Sequence, residues 1–554
     1  MRTGGRLIVE GLQAQGVDRV FCVPGESYLP VLDALHDSPI RTVLARHEGG
    51  AAMMAEADGK LTGRPGVALV TRGPGATNAA SGVHVAKQDG TPMLLLVGQI
   101  GRRMRGREAF QEVDYRQTFG DLAKWVEQID HADRIPEILS HAFHVAMSGR
   151  PGPVVLALPE DMLRESADAA PAPRVEVAEP APTPQAMARF AELLRAARRP
   201  VLILGGSRWT SEAAEAARRL AEDWGLPTGC SFRRQHLFDA RSPVYAGDVG
   251  LGINPALKAR IAESDLVILL GARFSENPSQ GFTLLGIPEA KQTLVHIHPG
   301  AEELGRIYAP DLAICATPGA FLDAALALPV APAERGAAEA HAAYLAWSDP
   351  PPREAAPGCV ELGATMRALE ALLPDDAILT NGAGNYAIWL HRFHRSRGFG
   401  AQLAPVSGSM GYGLPAAIAA KLRHPAREVV CFAGDGCFQM TMQEFGAAAQ
   451  AGAGVVVLVI DNAMYGTIRM HQERDFPGRV HATALANPDF AAMARAWGGF
   501  GETVTETEAF PDAFARARAF AAARALPALL HLRADPEAIT PATTLSALRG
   551  ARAQ

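Results

Sequence analysis

A carboxylate and an amide at a fixed spacing are the side chains in this sequence best suited to hold a metal ion. Asp435 lies between two glycines, Gly434 and Gly436, and Asn462 follows Asp435 after 26 intervening residues. Both side chains offer hard oxygen atoms. Mg²⁺ takes few such ligands from a protein and completes its octahedron with phosphate oxygens and water. The spacing therefore predicts a Mg²⁺ site.

Two apolar runs must position these side chains. Residues 429–433 and 455–460 read as buried strands, and residues 442–450 between them read as an amphipathic helix. In this strand–helix–strand unit, Asp435 and Asn462 both lie just beyond the carboxyl ends of strands. Open parallel sheets bind their ligands at that edge.

The glycines around Asp435 predict an anion site beside the metal. Gly434 and Gly436 let the backbone turn tightly and let a ligand approach it. The backbone N–H groups of Gly436, Cys437 and Phe438 then face outward at the start of a helical segment. Gly-Asp-Gly alone would favour an ordinary strand-to-helix turn, but its spacing to Asn462 favours a diphosphate site.

This combination resembles the signature of enzymes that use thiamine diphosphate. The whole chain resembles the acetohydroxyacid (acetolactate) synthase-like branch of the 2-oxo acid decarboxylases and carboligases. The resemblance implies thiamine diphosphate and Mg²⁺ as cofactors, with Mg²⁺ held by Asp435, Asn462 and the backbone carbonyl of Met464. It also implies an α/β fold of three doubly wound parallel-sheet domains. The first domain binds the pyrimidine of the cofactor, the second is a central domain, and the third binds the diphosphate.

Glu48 is the acid that the same family requires in its first domain. The segment RHEGGAAMMAEADGK, at residues 46–60, matches the family pattern around the glutamate that pairs with N1′ of the pyrimidine. Proton exchange between that glutamate and N1′ activates the cofactor. We expect Glu48 at the first turn of a helix, buried among alanine and methionine side chains. Without the downstream motif, a helix N-terminal carboxylate would be the simpler interpretation.

Two further segments of the first domain match the family. The Gly-Pro-Gly-Ala-Thr-Asn loop contains Gly75, to which we assign a positioning role near the cofactor. An ordinary helix entry capped by Thr77 or Asn78 is the alternative. Further along, Ala-Phe-Gln-Glu matches a segment in which the glutamine reaches the active site. Gln111 is therefore a candidate polar group on the substrate side.

Two residues depart from the synthase pattern. Glu26 stands in a Pro-Gly-Glu turn where synthases carry glycine and simple decarboxylases carry aspartate. It either protonates an intermediate, which favours aldehyde release, or is a solvated turn residue. His471 replaces the tryptophan that lines the acceptor pocket of synthases. It either transfers a proton or donates a hydrogen bond to substrate, or it is a partly exposed loop histidine.

The resemblance assigns further cofactor contacts in the third domain. Asn385 and Tyr386 are candidate diphosphate contacts. Met410 takes the place of the apolar side chain that bends the cofactor into a V, and the carbonyl of Gly408 accepts its 4′-amine. Met410 as ordinary core filler is the alternative. In the central domain, residues 271–278 keep only the Ala-Arg-Phe core of a flavin-binding segment, so FAD is possible but not favoured.

Composition and proline-rich seams predict the domain organisation. A chain of 554 residues, 48% hydrophobic and 20% charged, predicts about three globular domains. Residues 166–184 form a proline-rich linker, and residues 329–358 form a second segment between domains. We therefore expect domains at residues 1–165, 185–328 and 359–535.

Charge, cysteine usage and hydropathy indicate which binding partners and which cellular compartment to expect. The net charge of −6 shows no basic patch for nucleic acid, and no apolar run reaches the length of a membrane span. Six scattered cysteines without a CxxC pair favour the cytoplasm. Because the family joins Glu48 and the diphosphate site across a subunit boundary, the resemblance implies a homodimer or homotetramer.

The function expected from this resemblance is decarboxylation or carboligation of a 2-oxo acid, as in acetolactate synthases. A decarboxylase or acyl-CoA-type lyase that releases aldehyde is the first alternative, favoured by Glu26 and His471. A non-catalytic subunit that binds thiamine diphosphate is the second. Retention of Glu48 together with Asp435 and Asn462 argues against it.

Overall fold

The fold consists of three parallel six-stranded sheets flanked by helices, as the sequence predicts. The structure, a computed structural model, describes residues 1–330 and 332–550. In the described residues, no helix is long and apolar enough to cross a membrane.

The first domain has a sheet with the spatial order β3-β2-β4-β5-β7-β6 and a short antiparallel pair, β1 with β8. Its strands are β1 (Arg2–Thr3), β2 (Arg19–Cys22), β3 (Arg41–Leu44), β4 (Gly66–Val70), β5 (Met93–Gln99), β6 (Trp125–Gln128), β7 (Pro153–Pro159) and β8 (Ser166–Ala167). Its helices are α1 (Gly4–Ala14), α2 (Leu29–His36), α3 (Glu48–Thr62), α4 (Pro74–Asp89), α5 (Tyr115–Phe119) and α6 (Ile135–Met147).

The central domain has the strand order β11-β10-β9-β12-β13-β14, the doubly wound order found in dinucleotide-binding domains. Its strands are β9 (Pro200–Leu204), β10 (Thr228–Ser231), β11 (Tyr245–Val249), β12 (Leu266–Leu270), β13 (Thr293–His298) and β14 (Leu312–Cys315). Its helices are α7 (Pro184–Ala196), α8 (Ser211–Trp224), α9 (Pro255–Ala262), α10 (Pro318–Leu326) and α11 (Ala337–Trp347).

The third domain has the order β16-β15-β17-β18-β20-β19, which repeats the connectivity of the first domain. Its strands are β15 (Ile378–Asn381), β16 (Gln402–Leu403), β17 (Val429–Gly434), β18 (Val456–Asp461), β19 (Phe500–Val504), β20 (Ala528–Arg533), β21 (Ala538–Thr540) and β22 (Thr543–Thr544). Its helices are α12 (Leu362–Leu372), α13 (Tyr386–Phe393), α14 (Gly413–Arg423), α15 (Asp435–Gln439), α16 (Glu444–Ala451), α17 (Gly466–Asp475), α18 (Phe490–Ala496), α19 (Phe510–Arg524) and α20 (Leu545–Gly550).

The strand–helix–strand unit predicted around Asp435 is present. Strands β17 and β18 are completely buried and pair in parallel, because their all-apolar sequences suit a sheet covered on both faces. Helix α16 begins two residues later than predicted, and the short helix α15, which the sequence did not predict, precedes it. The chain continues past residue 535, the predicted end of the third block, into β21, β22 and α20.

The first and third domains share one apolar core. Helix α3 is buried along most of its length and packs against α14 of the third domain. Its glycine and alanine residues make this close packing possible, because small residues let neighbouring segments approach the helix backbone.

All three domains also meet at the buried carboxylate of Asp89. It accepts hydrogen bonds from the Lys60 ammonium at 2.5 Å and from the backbone N–H of Val406 at 2.8 Å. Arg234 of the central domain donates to the Asp89 backbone carbonyl at 3.1 Å. Burial opposes ionisation of Asp89, but Lys60 and Arg234 outweigh it and lower its pKa. This carboxylate therefore helps to fix the relative placement of the domains.

Candidate active site

One cavity of about 230 Å³ lies at the carboxyl ends of β15, β17 and β18. The described residues that line it all belong to the third domain. They include every metal and cofactor contact predicted for that domain, namely Asn385, Tyr386, Gly408, Met410, Gly434, Asp435, Gly436, Cys437, Asn462 and Met464.

Asp435 is buried at the floor of this cavity and belongs to a network of polar side chains. Its Oδ1 accepts from the Gly436 N–H at 2.8 Å, and its Oδ2 accepts from Nδ2 of Asn487 at 2.8 Å. The same Asn487 Nδ2 lies 2.7 Å from Oδ1 of Asp461. Burial raises the pKa of Asp435 to about 6, and the hydrogen bonds from Asn487 and Gly436 offset that effect only in part.

Asp461 differs from Asp435 in its electrostatic environment. Burial also acts against its ionisation, but hydrogen bonds from His531 and Asn487 outweigh burial and lower the pKa of Asp461. His531 Nε2 and Arg533 Nη1 each lie 2.7 Å from its Oδ2. Asp461 is therefore an ion-pair partner behind the cavity, while Asp435 faces it.

The donor set at the cavity fits Mg²⁺. A carboxylate accepts about four hydrogen bonds or metal contacts, so Asp435 keeps free lone pairs beside its two hydrogen bonds. Asn462 and Met464 line the same cavity, on the loop that leaves β18. No cluster of three His, Cys, Asp or Glu side chains that could bind a metal occurs within residues 1–330 and 332–550. The groups that would hold Mg²⁺ here are thus one carboxylate, an amide and a backbone carbonyl, all of them hard oxygen donors.

The two glycines of Gly-Asp-Gly serve a different purpose from the one predicted. Neither has a positive φ, so a tight turn does not require them. A Cβ at Gly434 would lie 2.6 Å from Cδ1 of Tyr386, and one at Gly436 would lie 2.6 Å from Cε1 of Tyr465. Two tyrosine rings packed against the backbone therefore exclude any side chain at these positions. The Gly436 N–H also donates to Asp435 instead of facing outward.

The other predicted contacts are held by hydrogen bonds around the cavity. The Tyr386 hydroxyl donates to Sγ of Cys437 at 3.2 Å, and the Gly411 N–H donates to the same sulfur at 3.2 Å. Nδ2 of Asn385 donates to the carbonyl of Ile539 at 3.1 Å, and Oδ1 accepts from the Thr467 hydroxyl at 2.9 Å. Asn385 therefore joins α13, α17 and the C-terminal β21 at the rim of the cavity.

Gly408 and Met410 lie in the loop between β16 and α14. Gly408 has φ of +69°, a conformation that favours glycine, and no atom lies within 4 Å of its Cβ position. Met410 is half-buried and faces the cavity, so ordinary core filling does not describe it.

Glu48 is the first residue of α3, as predicted. Its Oε2 accepts from Nδ2 of Asn78 at 3.0 Å, and its Oε1 lies 3.2 Å from the Cβ position of Gly75. Asn78 therefore orients Glu48 and does not cap α4, whose first residues are Pro74 and Gly75. The expected burial of Glu48 among alanine and methionine side chains is wrong for the single chain, because those side chains point into the core and Glu48 is half-exposed.

Glu26 and Gln111 lie in the same region and are linked through Arg72. Arg72 Nη2 donates to Oε1 of Glu26 at 2.7 Å, and Arg72 Nε donates to the Phe110 carbonyl at 3.3 Å. Gln111 has φ of +65°, and its Cβ lies 2.8 Å from the Cβ position of Gly73, two residues before Gly75. Glu26 is therefore an ion-pair partner and not a free turn residue.

His471 lies on α17, not in a loop. It is half-buried, and its Nδ1 has no hydrogen-bond partner among the described residues. The α17 residues that line the cavity are Gly466, Thr467 and Ile468. His471 thus lies about one helical turn beyond the α17 residues that line the cavity.

The strand order of the central domain reverses between β9 and β12, the point at which sheets of this topology bind dinucleotides. A Cβ at Gly206 would lie 1.9 Å from the Gly271 carbonyl, so the two loops pack backbone to backbone. Arg273, the arginine of the predicted flavin segment, donates to the Gln88 carbonyl of the first domain at 3.0 Å. The arginine is thus engaged in a domain contact.

The structure therefore forms two separate groups of candidate residues. One, in the first domain, joins Glu48, Gly75, Glu26 and Gln111; the other is the cavity of the third domain. Sequence reasoning missed Arg72, Asn487 and Asp461, which hold the predicted residues in place, and it considered Asn78 only as a helix cap. The only signal for them was polarity near a motif, since their partners lie far along the chain.

Comparison with known proteins covers all three domains. Residues 2–118 match the model of the thiamine pyrophosphate enzyme N-terminal TPP-binding domain, residues 187–325 the central domain, and residues 382–532 the C-terminal TPP-binding domain. The chain belongs to the thiamine pyrophosphate enzyme family.

Among its relatives are large subunits of acetolactate synthase. The chain is 34% identical to the acetolactate synthase isozyme 1 large subunit of Escherichia coli (strain K12), over 97% of this chain and 94% of that protein. It is 32% identical to the acetolactate synthase large subunit of Parasynechococcus marenigrum (strain WH8102), over 91% of this chain and 84% of that protein. It is an acetolactate synthase-like enzyme dependent on thiamine diphosphate.

Proposed function

We propose that this enzyme binds Mg²⁺ and thiamine diphosphate in the cavity of the third domain, decarboxylates a 2-oxo acid and joins the remaining acyl unit to a second carbonyl compound. The observation that carries the proposal is the convergence of Asp435, Asn462 and Met464 on one cavity at the carboxyl edge of the sheet. The acetolactate synthase relatives support the choice of donor and acceptor.

Each group of residues has a distinct task in this proposal. Asp435, Asn462 and the Met464 carbonyl hold Mg²⁺, and Asn385 and Tyr386 contact the diphosphate. Glu48, oriented by Asn78, exchanges a proton with the pyrimidine ring. Bound thiamine diphosphate supplies a nucleophilic carbon and an electron sink. Gln111 and Glu26 stand on the substrate side, and His471 is a proton-transfer candidate.

We further propose that the complete site forms between two subunits. Large apolar side chains are exposed beside both groups of residues. Leu29 follows Glu26 and Phe110 precedes Gln111 in the first domain, and Ile468 lines the cavity of the third. Exposed apolar side chains at a functional edge are typical of association surfaces. A homodimer or homotetramer would bury them and bring Glu48 of one subunit to the cavity of the other.

Other predictions about the enzyme concern FAD, the reaction product and location. The engagement of Arg273 with the first domain does not favour FAD, and the absorbance spectrum of the purified protein tests for it. Aldehyde in place of a ketol product would favour the decarboxylase alternative suggested by Glu26 and His471. Location in the cytoplasm stays a prediction from cysteine usage.

The central test is carbon dioxide release from a panel of 2-oxo acids, with each cofactor present or omitted. We expect release to require both cofactors and to fall by about 10²–10⁴-fold in Glu48→Gln. Cofactor binding by the variant should persist. Glu137→Gln, an exposed glutamate of the same domain, is the matched control. Release that persists without thiamine diphosphate would contradict the proposal.

A further inference from the structure

Glu444 is a buried acid that the proposed chemistry does not use. It is the first residue of α16 and is 0% exposed. Both oxygens of its carboxyl group face the backbone N–H of Arg46, at 3.2 and 3.1 Å. Glu444 belongs to the third domain and Arg46 to the first, so this contact joins the two domains that carry the proposed site.

Glu444 contacts the start of the helix that carries Glu48. Arg46 and His47 immediately precede α3, and both backbone N–H groups act on the Glu444 carboxyl. A helix N-terminus has unpaired N–H groups and favours a negative charge. The N-cap of α3 is His47, whose Nδ1 accepts from the Gly49 N–H at 3.0 Å. Glu444 thus holds, from another domain, the backbone that leads into α3.

The packing around this contact leaves no room for movement. A Cβ at Gly50, in the first turn of α3, would lie 2.4 Å from Oε1 of Glu444. The helix can accept the carboxyl group only because residue 50 is glycine. A side chain there would displace Glu444 or the helix start, and with it Glu48.

We propose that Glu444 is a positioning residue for Glu48, because it fixes the first turn of α3 and adds a second carboxyl group to the surroundings of the proton-exchanging acid. This inference rests on the proposed function of Glu48. Glu444 follows the metal ligand Asp435 through α15, so it also ties the cofactor-binding segment to the Glu48 helix within one chain. If sites form between subunits, the contact joins two different active sites.

The charges that face Glu444 predict how it responds to pH. Burial raises the pKa of Glu444 to about 7, and the negative charge of Glu48 adds to this rise. The backbone N–H groups of Arg46 and His47 and the charge of Arg46 lower the pKa and oppose the rise. At the C-terminal end of α16, the Arg46 guanidinium donates to Gln450 and Arg41 donates to the Ala451 carbonyl. Both forms of the Glu444 carboxyl are therefore populated near neutral pH.

Glu444→Gln tests the inference, because it removes the charge and keeps the size. We expect the amides of residues 46–50 to exchange about tenfold faster with solvent deuterium in the cofactor-free variant. In the loaded enzyme, we expect kcat to fall about tenfold to a hundredfold with KM within about twofold. We also expect the pH–rate profile to lose the change near pH 7 that ionisation of Glu444 causes, because glutamine does not ionise.

Glu56→Gln is the matched control. Glu56 is also buried and lies on α3, where it accepts from Thr91 and from Tyr412 of the third domain. In Glu56→Gln, we expect the rate of amide hydrogen exchange at residues 46–50 and the pH–rate profile to match those of the wild type. Gly50→Ala is the second variant, and it should reproduce the Glu444→Gln changes by displacing the carboxyl group.

Two outcomes would overturn the inference: unchanged exchange at residues 46–50 in both Glu444→Gln and Gly50→Ala, or equal changes in Glu56→Gln. If Glu444→Gln does not fold, hydrogen exchange at residues 46–50 in Gly50→Ala decides whether the inference holds. A wild-type enzyme without turnover would instead contradict the proposed function, which the exchange experiment does not require.

Discussion

Arg72 donates to Glu26 across 2.7 Å, and its guanidinium joins loops that follow different strands. Glu26 follows β2, Arg72 follows β4, and the Phe110 carbonyl that accepts from Arg72 Nε lies in the segment after β5. Arg72 is buried while Glu26 is mostly exposed, so the arginine holds the carboxylate of Glu26 from the protein interior. One side chain thus sets the positions of both substrate-side candidates, Glu26 and Gln111.

Removing this guanidinium should disturb substrate handling more than cofactor binding. We expect Arg72→Met to lower kcat/KM about tenfold or more, because the loops that hold Glu26 and Gln111 lose a common anchor. The affinity for thiamine diphosphate should change by less than about threefold. Steady-state kinetics at varied cofactor concentration provide the measurement. Arg134→Met, which breaks an exposed ion pair in the same domain, should leave both values unchanged.

A complementation experiment tests the placement of Glu48 and Asp435 in different subunits of one site. Glu48→Gln and Asp435→Asn are each expected to be inactive. After random exchange of dimers, half of the molecules are mixed, and each carries one intact site of two. Activity should therefore return to about a quarter of wild type. Mixtures that stay inactive despite demonstrated subunit exchange would show that both residues serve the same chain.

Asn487 should determine metal affinity although it is not a metal ligand. Its Nδ2 lies 2.8 Å from Oδ2 of Asp435 and 2.7 Å from Oδ1 of Asp461, so it bridges the two carboxyl groups. We expect Asn487→Ala to weaken Mg²⁺ binding about 10–100-fold, because side chains that orient metal ligands typically contribute that much. Titration of Mg²⁺ against cofactor binding gives the measurement. Gln128→Ala, which removes an amide bonded to Asp130 in the first domain, is the control.

Asp248 predicts a pH dependence of stability in the central domain. Its Oδ1 is buried without a hydrogen-bond partner among the described residues, and burial raises its pKa to about 7 against the opposing effect of Arg233. Because the folded state holds this proton more tightly than the unfolded state, stability falls as pH rises from about 4 to 7. It then stays at its lower value.

Replacing that carboxyl group with an amide should remove the dependence. We expect Asp248→Asn to raise the unfolding midpoint by about 2–4 °C at pH 8 and to change it little at pH 4. Thermal unfolding at both pH values provides the comparison. A stabilisation of the same size at both would show that ionisation of Asp248 is not its cause.

Local patterns in the sequence predicted the scaffold well. Strands β17 and β18 were placed within one residue, because each is an uninterrupted apolar run between polar ends. Glu48, Asp435 and Asn462 stood out because their spacing reflects the sheet edge, although their roles stay predictions.

Contacts between distant parts of the chain could not be predicted in the same way. Asn487 reaches Asp435 across 52 positions of sequence, and Glu444 reaches Arg46 across 398. Neither has a local pattern that indicates its partner. The glycines beside Asp435 were recognised but misread, because the need for them comes from the rings of Tyr386 and Tyr465, which only the folded chain brings there.

The repeated strand order of the first and third sheets has a mechanical consequence. Helix α3 follows the second strand of its sheet and α14 follows the second strand of the other, and these equivalent helices pack face to face. A pseudo-twofold axis thus runs between them, as a true axis does in a symmetric dimer. The half that carries Glu48 and the half that carries Asp435 therefore share one apolar core. We expect rearrangement during turnover to occur in loops at the sheet edges.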